Sequence, residues 1–505
     1  MFKRILIANR GEIALRVIRT AREMGVECVT VYSDFDRQAL HTRMGHIAVP
    51  LDGDLPGETY LVAEKILAAA KATGAEAIHP GYGFLSENAA FARAVVEAGM
   101  VWIGPPPAAI EVMGDKIESR RAMLAAKVPL VPGQTEASET PEAALAAARE
   151  VGLPVALKAA AGGGGKGIRI VRDETEVASA FRTASGEAQS AFGDGRLYVE
   201  RYIDNPRHIE IQVLFDQHGN GIHLGERECS IQRRHQKLLE ECPASVITPE
   251  LRQQMGEVAL RAGHAVNYEG VGTVEFLYSK GEFFFLEMNT RLQVEHPITE
   301  MVTGIDLVRE QLRVASGEKL ELEQDDVKMN GHAIEVRLNA EDVPSGFLPA
   351  TGRIKNLRQP GGPWVRVDSC MYNGLEVGLN YDPMLGKIIV WGPDRSTAIA
   401  RMRRALEELN VGGVRTSATA AMAVLGEESF IAGEYDTHLL ESMDLSSPQG
   451  NEEDLAAALA AVHRFHCAEK RAIGAAEGDR EGWLARSREG TSNHRRRSAR
   501  HGAGR

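Results

Sequence analysis

Along residues 1 to about 113, short apolar runs alternate with amphipathic stretches. Lys3 to Ala8, Val26 to Tyr32, Ala77 to His79 and Val101 to Ile103 read as buried strands, and Glu12 to Met24 as a helix. Strands separated by helices predict an open parallel α/β sheet. Farther on, Pro154 to Ala160 and Ile168 to Val171 are strand-like and flank a glycine run, so residues from about 130 to 203 read as a smaller unit. Arg207 to Leu214, Gly272 to Tyr278 and Glu282 to Asn289 predict further strands. A mixed region follows to about 445, with helices near Ser396 to Leu409 and Ser417 to Leu425. Beyond Leu445 the pattern changes. Glu452 to Lys470 is Ala-rich and helical in character, and Arg486 to Arg505 holds seven arginines against one acid, which predicts disorder.

The segment Glu287 to Glu295 stands out because every odd position is polar: Glu287, Asn289, Arg291, Gln293 and Glu295 alternate with Met288, Thr290, Leu292 and Val294. In an extended strand these side chains share one face. Two carboxylates, two amides and a guanidinium suit a divalent cation at one end and a small anion at the other; a solvated edge strand with salt bridges is the plainer reading. Eight extended steps span roughly 26 Å at ~3.3 Å each, so one compact site requires the chain to bend before Glu295. Glu275 and Glu287 lie on two strands joined near Ser279 to Glu282, and counting back from the turn brings them within about one residue of facing each other. Unpaired carboxylates across a ladder repel, and magnesium, which takes hard oxygen ligands, would remove the repulsion.

Composition narrows the class. The chain has 505 residues, 44% hydrophobic and 25% charged, with a net charge of -12. Roughly two to four domains are expected at this length, and the acidic balance argues against a nucleic-acid partner. No apolar stretch reaches the length of a membrane span, and Met1 to Ala8 lacks the features of a signal peptide. The five cysteines are widely spaced without a Cys-x-x-Cys pair, which predicts neither a zinc site nor a disulfide framework and fits a reducing cytoplasm.

Other motifs add chemistry. Gly162 to Gly167 (GGGGKG) is not a Walker A loop, because Gly167 follows Lys166 and a β-branched strand follows that. A glycine run between two strands can instead close its backbone N–H groups on phosphates. Asn9-Arg10-Gly11-Glu12 lacks the Gly-x-Gly-x-x-Gly of a dinucleotide site. Pro80 to Phe84 follows a strand end, where such sheets form binding crevices. His208, Glu210 and Gln212 share a strand face. Arg227 to Glu241 gathers Arg227, Arg233, Arg234, His235 and Lys237; the cluster reads either as an anion site or as a charged surface helix.

Taken together, Ile7 to Arg19 (IANRGEIALRVIR), Ile78 to Asn88 (IHPGYGFLSEN), Met113 to Lys116 (MGDK), GGGGKG, Asn205 to Leu214 (NPRHIEIQVL), Glu226 to Lys237 (ERECSIQRRHQK) and Glu287 to Glu300 (EMNTRLQVEHPITE) closely resemble biotin carboxylase, an ATP-grasp ligase. The resemblance covers residues 1 to about 445. It implies an α/β and α+β fold with a Rossmann-like parallel-sheet domain over 1–113, an ATP-grasp domain over 114–330 with a lid at about 131–203, a C-terminal biotin carboxylase domain over 331–445, and a tail over 446–505.

By the same resemblance, Lys116 and Lys158 would bind ATP phosphates. Gly162, Gly163, Gly164, Gly165, Lys166 and Gly167 would close as a lid. Glu200, Arg201, Tyr202 and Ile203 would form the hinge contacting adenine, and His208, Gln232 and His235 would touch the nucleotide. Glu275, Glu287 and Asn289 would hold one or two magnesium (or manganese) ions. Lys237, Arg291, Gln293, Val294 and Glu295 would bind bicarbonate, with Glu295 as general base. Arg337 would stabilise the enolate of biotin, and Tyr82 would lie beside its ureido ring. Ala161 departs from relatives that carry another glycine there, and the tail matches no part of the family's pattern. Val327-Lys328-Met329-Asn330 is not the Met-Lys-Met of a biotin-bearing domain, so biotin is expected on a separate carrier protein.

The implied activity is an ATP-dependent carbon–nitrogen ligation: bicarbonate and ATP carboxylate biotin through carboxyphosphate, as the first half-reaction of an acetyl-CoA or propionyl-CoA carboxylase in fatty acid metabolism. A carboxyltransferase subunit and homodimerisation are implied as well. The alternatives are the same half-reaction in a pyruvate or other 2-oxoacid carboxylase, another ATP-grasp ligase of the carbamoyl-phosphate type, and a non-catalytic nucleotide-binding regulator. Lys116, Lys158, Glu275, Glu287 and Glu295 are all present and speak against the last.

Overall fold

A computed structural model describes residues 1–134, 136–160, 168–446 and 459–467. Two compact units result, Met1–Ser446 and Ser447–Arg505.

In the first unit, β1 (Arg4–Ile7), β2 (Glu27–Tyr32), β3 (Ile47–Pro50), β4 (Ala77–His79) and β5 (Val101–Trp102) form a parallel sheet in the order β3-β2-β1-β4-β5. The expected open parallel sheet is therefore present. Ile5, Leu6 and Ile7 are fully buried, as central strands covered by helices on both faces must be. The helix Gly11–Glu23 leaves β1 after a three-residue turn. Asn9 in that turn donates from Nδ2 to the carbonyls of Pro80 (2.7 Å) and Tyr82 (2.8 Å). The loop after β4 is thus tied to the loop after β1, and Tyr82 is set at the C-terminal edge of the sheet.

A second sheet joins β6 (Val155–Ala159), β7 (Ile168–Val171) and β8 (Leu197–Arg201) in the antiparallel order β7-β6-β8. The helices Pro141–Val151 and Val177–Phe192 pack on it through a core that includes Ala148, Leu157, Phe181 and Val199. The glycine loop, Gly162 to Gly167, lies between β6 and β7 outside the described residues.

The largest sheet has eight strands. β9 (Arg207–Phe215), β10 (Gly221–Arg233), β11 (Gln236–Cys242), β12 (Gly270–Ser279), β13 (Glu282–Asn289) and β14 (His332–Asn339) are joined by Val365–Ser369 and Met384–Gly392. The order begins β13-β12-β9-β10-β11-β14, so this sheet runs without a break from the region before residue 330 into the region after it. β13 spans the residues predicted for it. The helices Arg395–Glu408 and Ala418–Val424 also fall where the pattern placed them.

Arg227 to Glu241 is not a surface helix. It forms the antiparallel hairpin β10–β11, in which Arg227 and both Glu240 and Glu241 are fully buried. Arg233 pairs with Gln236 across a two-residue turn whose central residues, Arg234 (φ 49°) and His235 (φ 66°), both have positive φ. This is the backbone of the tight hairpin turn that normally takes Asn and Gly. Two bulky residues there hold a strained conformation.

Among the described residues, no helix is long and apolar enough to cross a membrane. In the second unit residues 459–467 are helical with Leu459, Val462 and Phe465 exposed. The rest of the tail, including the arginine-rich end, lies outside the described residues.

Candidate functional site

A cleft of about 870 Å³ opens between the β6–β8 sheet, the eight-stranded sheet and the loop after β4. Every site residue implied by the resemblance lines it, apart from the glycine loop outside the described residues, whereas Glu210, Gln212, Arg227 and Arg233 do not.

At one end are Lys116, Lys158, Glu200 to Ile203, His208, Gln232 and His235. Lys116 opens the helix Lys116–Ala125, and the Asp115 side chain caps that helix by accepting from the N–H groups of Ile117 (2.8 Å) and Glu118 (3.1 Å). Burial, with Lys158 nearby, lowers the Lys116 ammonium. Lys158 is ion-paired to the Glu200 carboxylate on the neighbouring strand, and Arg120 lies 3.6 Å from the same carboxylate. The Glu200 side chain therefore faces the lysine. Burial and the adjacent lysines lower the His235 imidazole, which favours its neutral form.

In the middle stand the two carboxylates. Glu275 pairs directly with Glu287 in the β12–β13 register. Glu275 is heavily served: its Oε1 accepts from Lys237 Nζ (3.1 Å), Asn289 Nδ2 (2.9 Å) and Gln293 Nε2 (2.8 Å), and His208 Nε2 lies 3.0 Å from Oε2. Against burial, Lys237 and His208 hold it well below the usual carboxylate range. Glu287 has no hydrogen bond from any described side chain, and burial together with the Glu275 charge raises it. One ionised carboxylate beside one unserved carboxyl, with Lys116 close by, fits a hard divalent cation that takes Glu287 as its open ligand. Asn289 offers less freely, because its Oδ1 already accepts from Arg291 Nη2 at 2.9 Å.

The chain bends after β13. Residues 290–295 turn, and the helix His296–Thr303 begins. The bend returns Glu295 to the cleft, where its carboxylate is almost fully buried. Oε1 accepts from Lys237 Nζ at 2.5 Å, and Oε2 accepts from Arg337 Nη2 at 2.9 Å. Against burial, these two cations hold Glu295 well below the carboxylate range. Lys237 also donates to Glu210 Oε2 at 2.6 Å, and its three carboxylates raise the ammonium well above its ordinary value against burial. Arg291 donates from Nε to Glu87 Oε2 at 2.9 Å. Val294 presents its carbonyl to Lys387 Nζ at 2.7 Å. Tyr82 and Arg337 close this end.

The sequence places the residue beneath the site in a basic run, but the structure gives it a buried, structural part. Arg227 is fully buried, and each of its donor nitrogens is used: Nε on Glu210 (2.6 Å), Nη1 on Gln212 (2.6 Å) and Thr299 (3.0 Å), and Nη2 on Thr273 (3.1 Å) and Gln293 (2.8 Å). It pairs with Glu210 in the β9–β10 register and fixes the two residues, Glu210 and Gln293, that flank Lys237 and Glu275. Its signal was present: an arginine at a strand position opposite a glutamate is a partner, not a surface charge. Glu335 shares with Arg337 and Asn339 one face of an alternating strand, Glu240 read as an acid flanking the basic run, and Glu87 and Lys387 gave no local signal.

Three family models match the chain: the biotin carboxylase N-terminal domain at residues 1–110, the ATP-binding domain of the carbamoyl-phosphate synthase L chain at 115–323, and the biotin carboxylase C-terminal domain at 335–442. The biotin carboxylase of Nostoc sp. is 50% identical over 444 residues, covering 88% of this chain and 99% of that protein. The propionyl-CoA carboxylase alpha chain of Ruegeria pomeroyi is 47% identical over 493 residues, covering 92% and 72%. Among solved structures, the biotin carboxylase domain dimer of Hydrogenobacter thermophilus 2-oxoglutarate carboxylase, in complex with MgADP, ADP and bicarbonate, is similar at a TM-score of 0.85 and 48% identity, covering 87% of this chain and 97% of that one.

Proposed function

The chain belongs to the biotin carboxylase family and is an ATP-grasp ligase that carboxylates biotin with ATP, Mg2+ and bicarbonate; from that premise we propose which of its residues carry each step and which carboxylase it serves. Lys116, Lys158, Gly162 to Gly167, Glu200 to Ile203, His208, Gln232 and His235 bind ATP. Glu275 and Glu287, with Asn289, hold the metal, which offsets phosphoryl charge. Lys237, Arg291, Gln293 and Val294 fix bicarbonate, Glu295 removes its proton, and the anion attacks the γ-phosphate to give carboxyphosphate and ADP. Carboxyphosphate splits to carbon dioxide and phosphate, the phosphate takes the ureido proton of biotin, Arg337 stabilises the resulting enolate beside Tyr82, and the ureido nitrogen attacks the carbon dioxide. Preorganised cations at the site of developing charge are the main source of rate in such transfers.

The observation that carries this reading is the position of Glu295, buried between Lys237 and Arg337. One cation faces the metal carboxylates and the other faces the far end of the cleft. A base set there can act on an anion held by one cation and deliver the product toward the other. The division into residues 1–113, 114–330 with the lid at about 131–203, 331–445 and the tail 446–505 belongs to the same reading.

The acceptor is an acyl-CoA, with biotin borne by a separate carrier protein, a carboxyltransferase subunit downstream, a homodimer as the working form and the cytoplasm as its place. Support comes from the propionyl-CoA carboxylase relative, whose similarity extends over 92% of this chain against 88% for the Nostoc enzyme. A 2-oxoacid acceptor is the second reading, favoured by the likeness to the 2-oxoglutarate carboxylase domain. ADP formation with bicarbonate and magnesium should depend on free biotin; biotin-independent ADP formation at the same rate would sink the assignment of roles. Reconstitution with candidate carriers and transferases, offering acyl-CoA or 2-oxoacid, decides the acceptor.

A further inference from the structure

Beside Arg337, the face of the large sheet carries more buried carboxyls than its hydrogen bonds can serve. β11 and β14 run antiparallel with Glu240 directly opposite Glu335. Facing residues of such a pair stand on the same side of the sheet, their Cβ atoms about 5 Å apart. Both residues are completely buried. Arg337 Nε donates to Glu240 Oε1 at 2.6 Å. Glu240 Oε2 and both oxygens of Glu335 have no hydrogen-bond partner among the described residues.

Two ionised carboxylates with three unserved oxygens are the least stable charge state this interior could hold. A carboxylic acid, by contrast, supplies the donor that its neighbour lacks. One proton between the two lets Glu335 donate to Glu240 Oε2, which serves both. The charged groups facing the pair are Arg337 on the same strand, Lys387 opposite Arg337 on the next strand, Glu295 from the bend, and Lys237 and Cys229 from β11 and β10. Glu12 stands across Lys387 at 3.5 Å. Burial pushes Glu240 up to about 7, and burial with the Glu240 charge pushes Glu335 well above the carboxylate range.

We propose that Glu240 and Glu335 are positioning residues that share one proton at neutral pH, and that this proton sets how much positive charge Arg337 presents to the anionic oxygen in the cleft. The proposal rests on the role given above to Arg337. With the proton in place, Arg337 is balanced by Glu295 and by one charge of the pair. Without it a third carboxylate draws the guanidinium field back into the sheet, where charges act strongly because the dielectric is low.

The test uses the full-length protein with free biotin, bicarbonate and MgATP. Infrared spectra of wild type minus Glu335→Gln, and of wild type minus Glu240→Gln, should each show the C=O stretch of a neutral buried acid at neutral pH. That stretch should vanish as the pH is raised. Over the same range the carboxybiotin-to-ADP ratio of the wild type should fall about tenfold, a part of the loss expected from removing one anion-stabilising donor outright. Glu335→Gln, whose site holds one charge at every working pH, should keep its ratio within about twofold. A neutral-acid band untouched by either substitution overturns the shared proton, and an alkaline fall in Glu335→Gln equal to that of the wild type overturns its effect on Arg337. If Glu335→Gln does not fold, Glu240→Gln decides: Glu335, relieved of the Glu240 charge while Arg337 and Lys387 still face it, should ionise, and persistence of its neutral band rejects the pairing. Should Arg337→Ala lower ADP and carboxybiotin equally, the role of Arg337 fails while the infrared result still stands or falls by itself.

Discussion

Glu295 and Arg337 touch each other, yet the proposed mechanism uses them at different times, and the difference is measurable. Glu295→Gln removes the base while leaving its neighbours held: Lys237 keeps Glu210 and Glu275, and Arg337 keeps Glu240. The loss should therefore report chemistry and not collapse of the site. General-base help is typically worth ~10²–10⁴-fold, and bicarbonate-dependent ADP formation should fall by that order, with carboxybiotin falling in step. Arg337→Ala leaves Glu295 still paired with Lys237 at 2.5 Å, so ADP formation should largely survive. Carboxybiotin should fall by ~10²–10³-fold, the usual cost of losing one donor to a developing anion. The assay is the ratio of ADP to carboxybiotin in each variant, with ATP affinity measured alongside. The ratio stays near the wild-type value in Glu295→Gln and rises steeply in Arg337→Ala. A proportional loss of both products in Arg337→Ala, with ATP binding intact, would refute the enolate role.

Three further outcomes are expected. Glu287→Gln should raise the magnesium concentration needed for half-maximal turnover, and without metal it should be at least as stable as the wild type, because burial and Glu275 already disfavour the Glu287 charge; an unchanged magnesium titration speaks against the ligand. Arg227→Met strands Glu210, Gln212 and Gln293 in the core, so denaturant unfolding should show a loss of about 3–5 kcal/mol, the usual cost of breaking a buried pair from one side; a loss under about 1 kcal/mol would mean that the site does not depend on it. Glu241 is held at about 2 against burial by His332 and Arg395. A carboxyl lowered in this way contributes stability above its unfolded value and loses it as the pH falls toward 2. The stability gap between wild type and Glu241→Gln should therefore shrink by roughly 3 kcal/mol between neutral and strongly acid pH; a gap that stays constant across that range contradicts the ion-pair account.

What the sequence reveals, and what it hides, divides by the range of the interaction. The β13 boundaries, the Glu275–Glu287 pairing and the bend before Glu295 follow from period-two alternation, a short turn and a length in ångströms, all local quantities. The β10–β11 hairpin was not legible, because its turn carries Arg234 and His235 where the residues that announce such a turn are absent. The fold imposes those positive φ values, and the hairpin they close carries His235 and Lys237 into the cleft. Buried charge is the second blind spot. Arg227, Glu240 and Glu241 each look like surface residues alone, and become interior ones only when another element supplies the partner: Glu210 on β9 for Arg227, Arg337 on β14 for Glu240, and Arg395 at the start of the helix Arg395–Glu408 for Glu241. The pairing of β11 with β14 is what brings Arg337 to Glu240, and it joins segments about ninety residues apart. The same pairing brings Arg337 to Glu295. Glu295, the proposed base, and Arg337, the proposed enolate-stabilising cation, thus lie on opposite sides of residue 330, and the sheet that crosses this point is what brings them into one cleft.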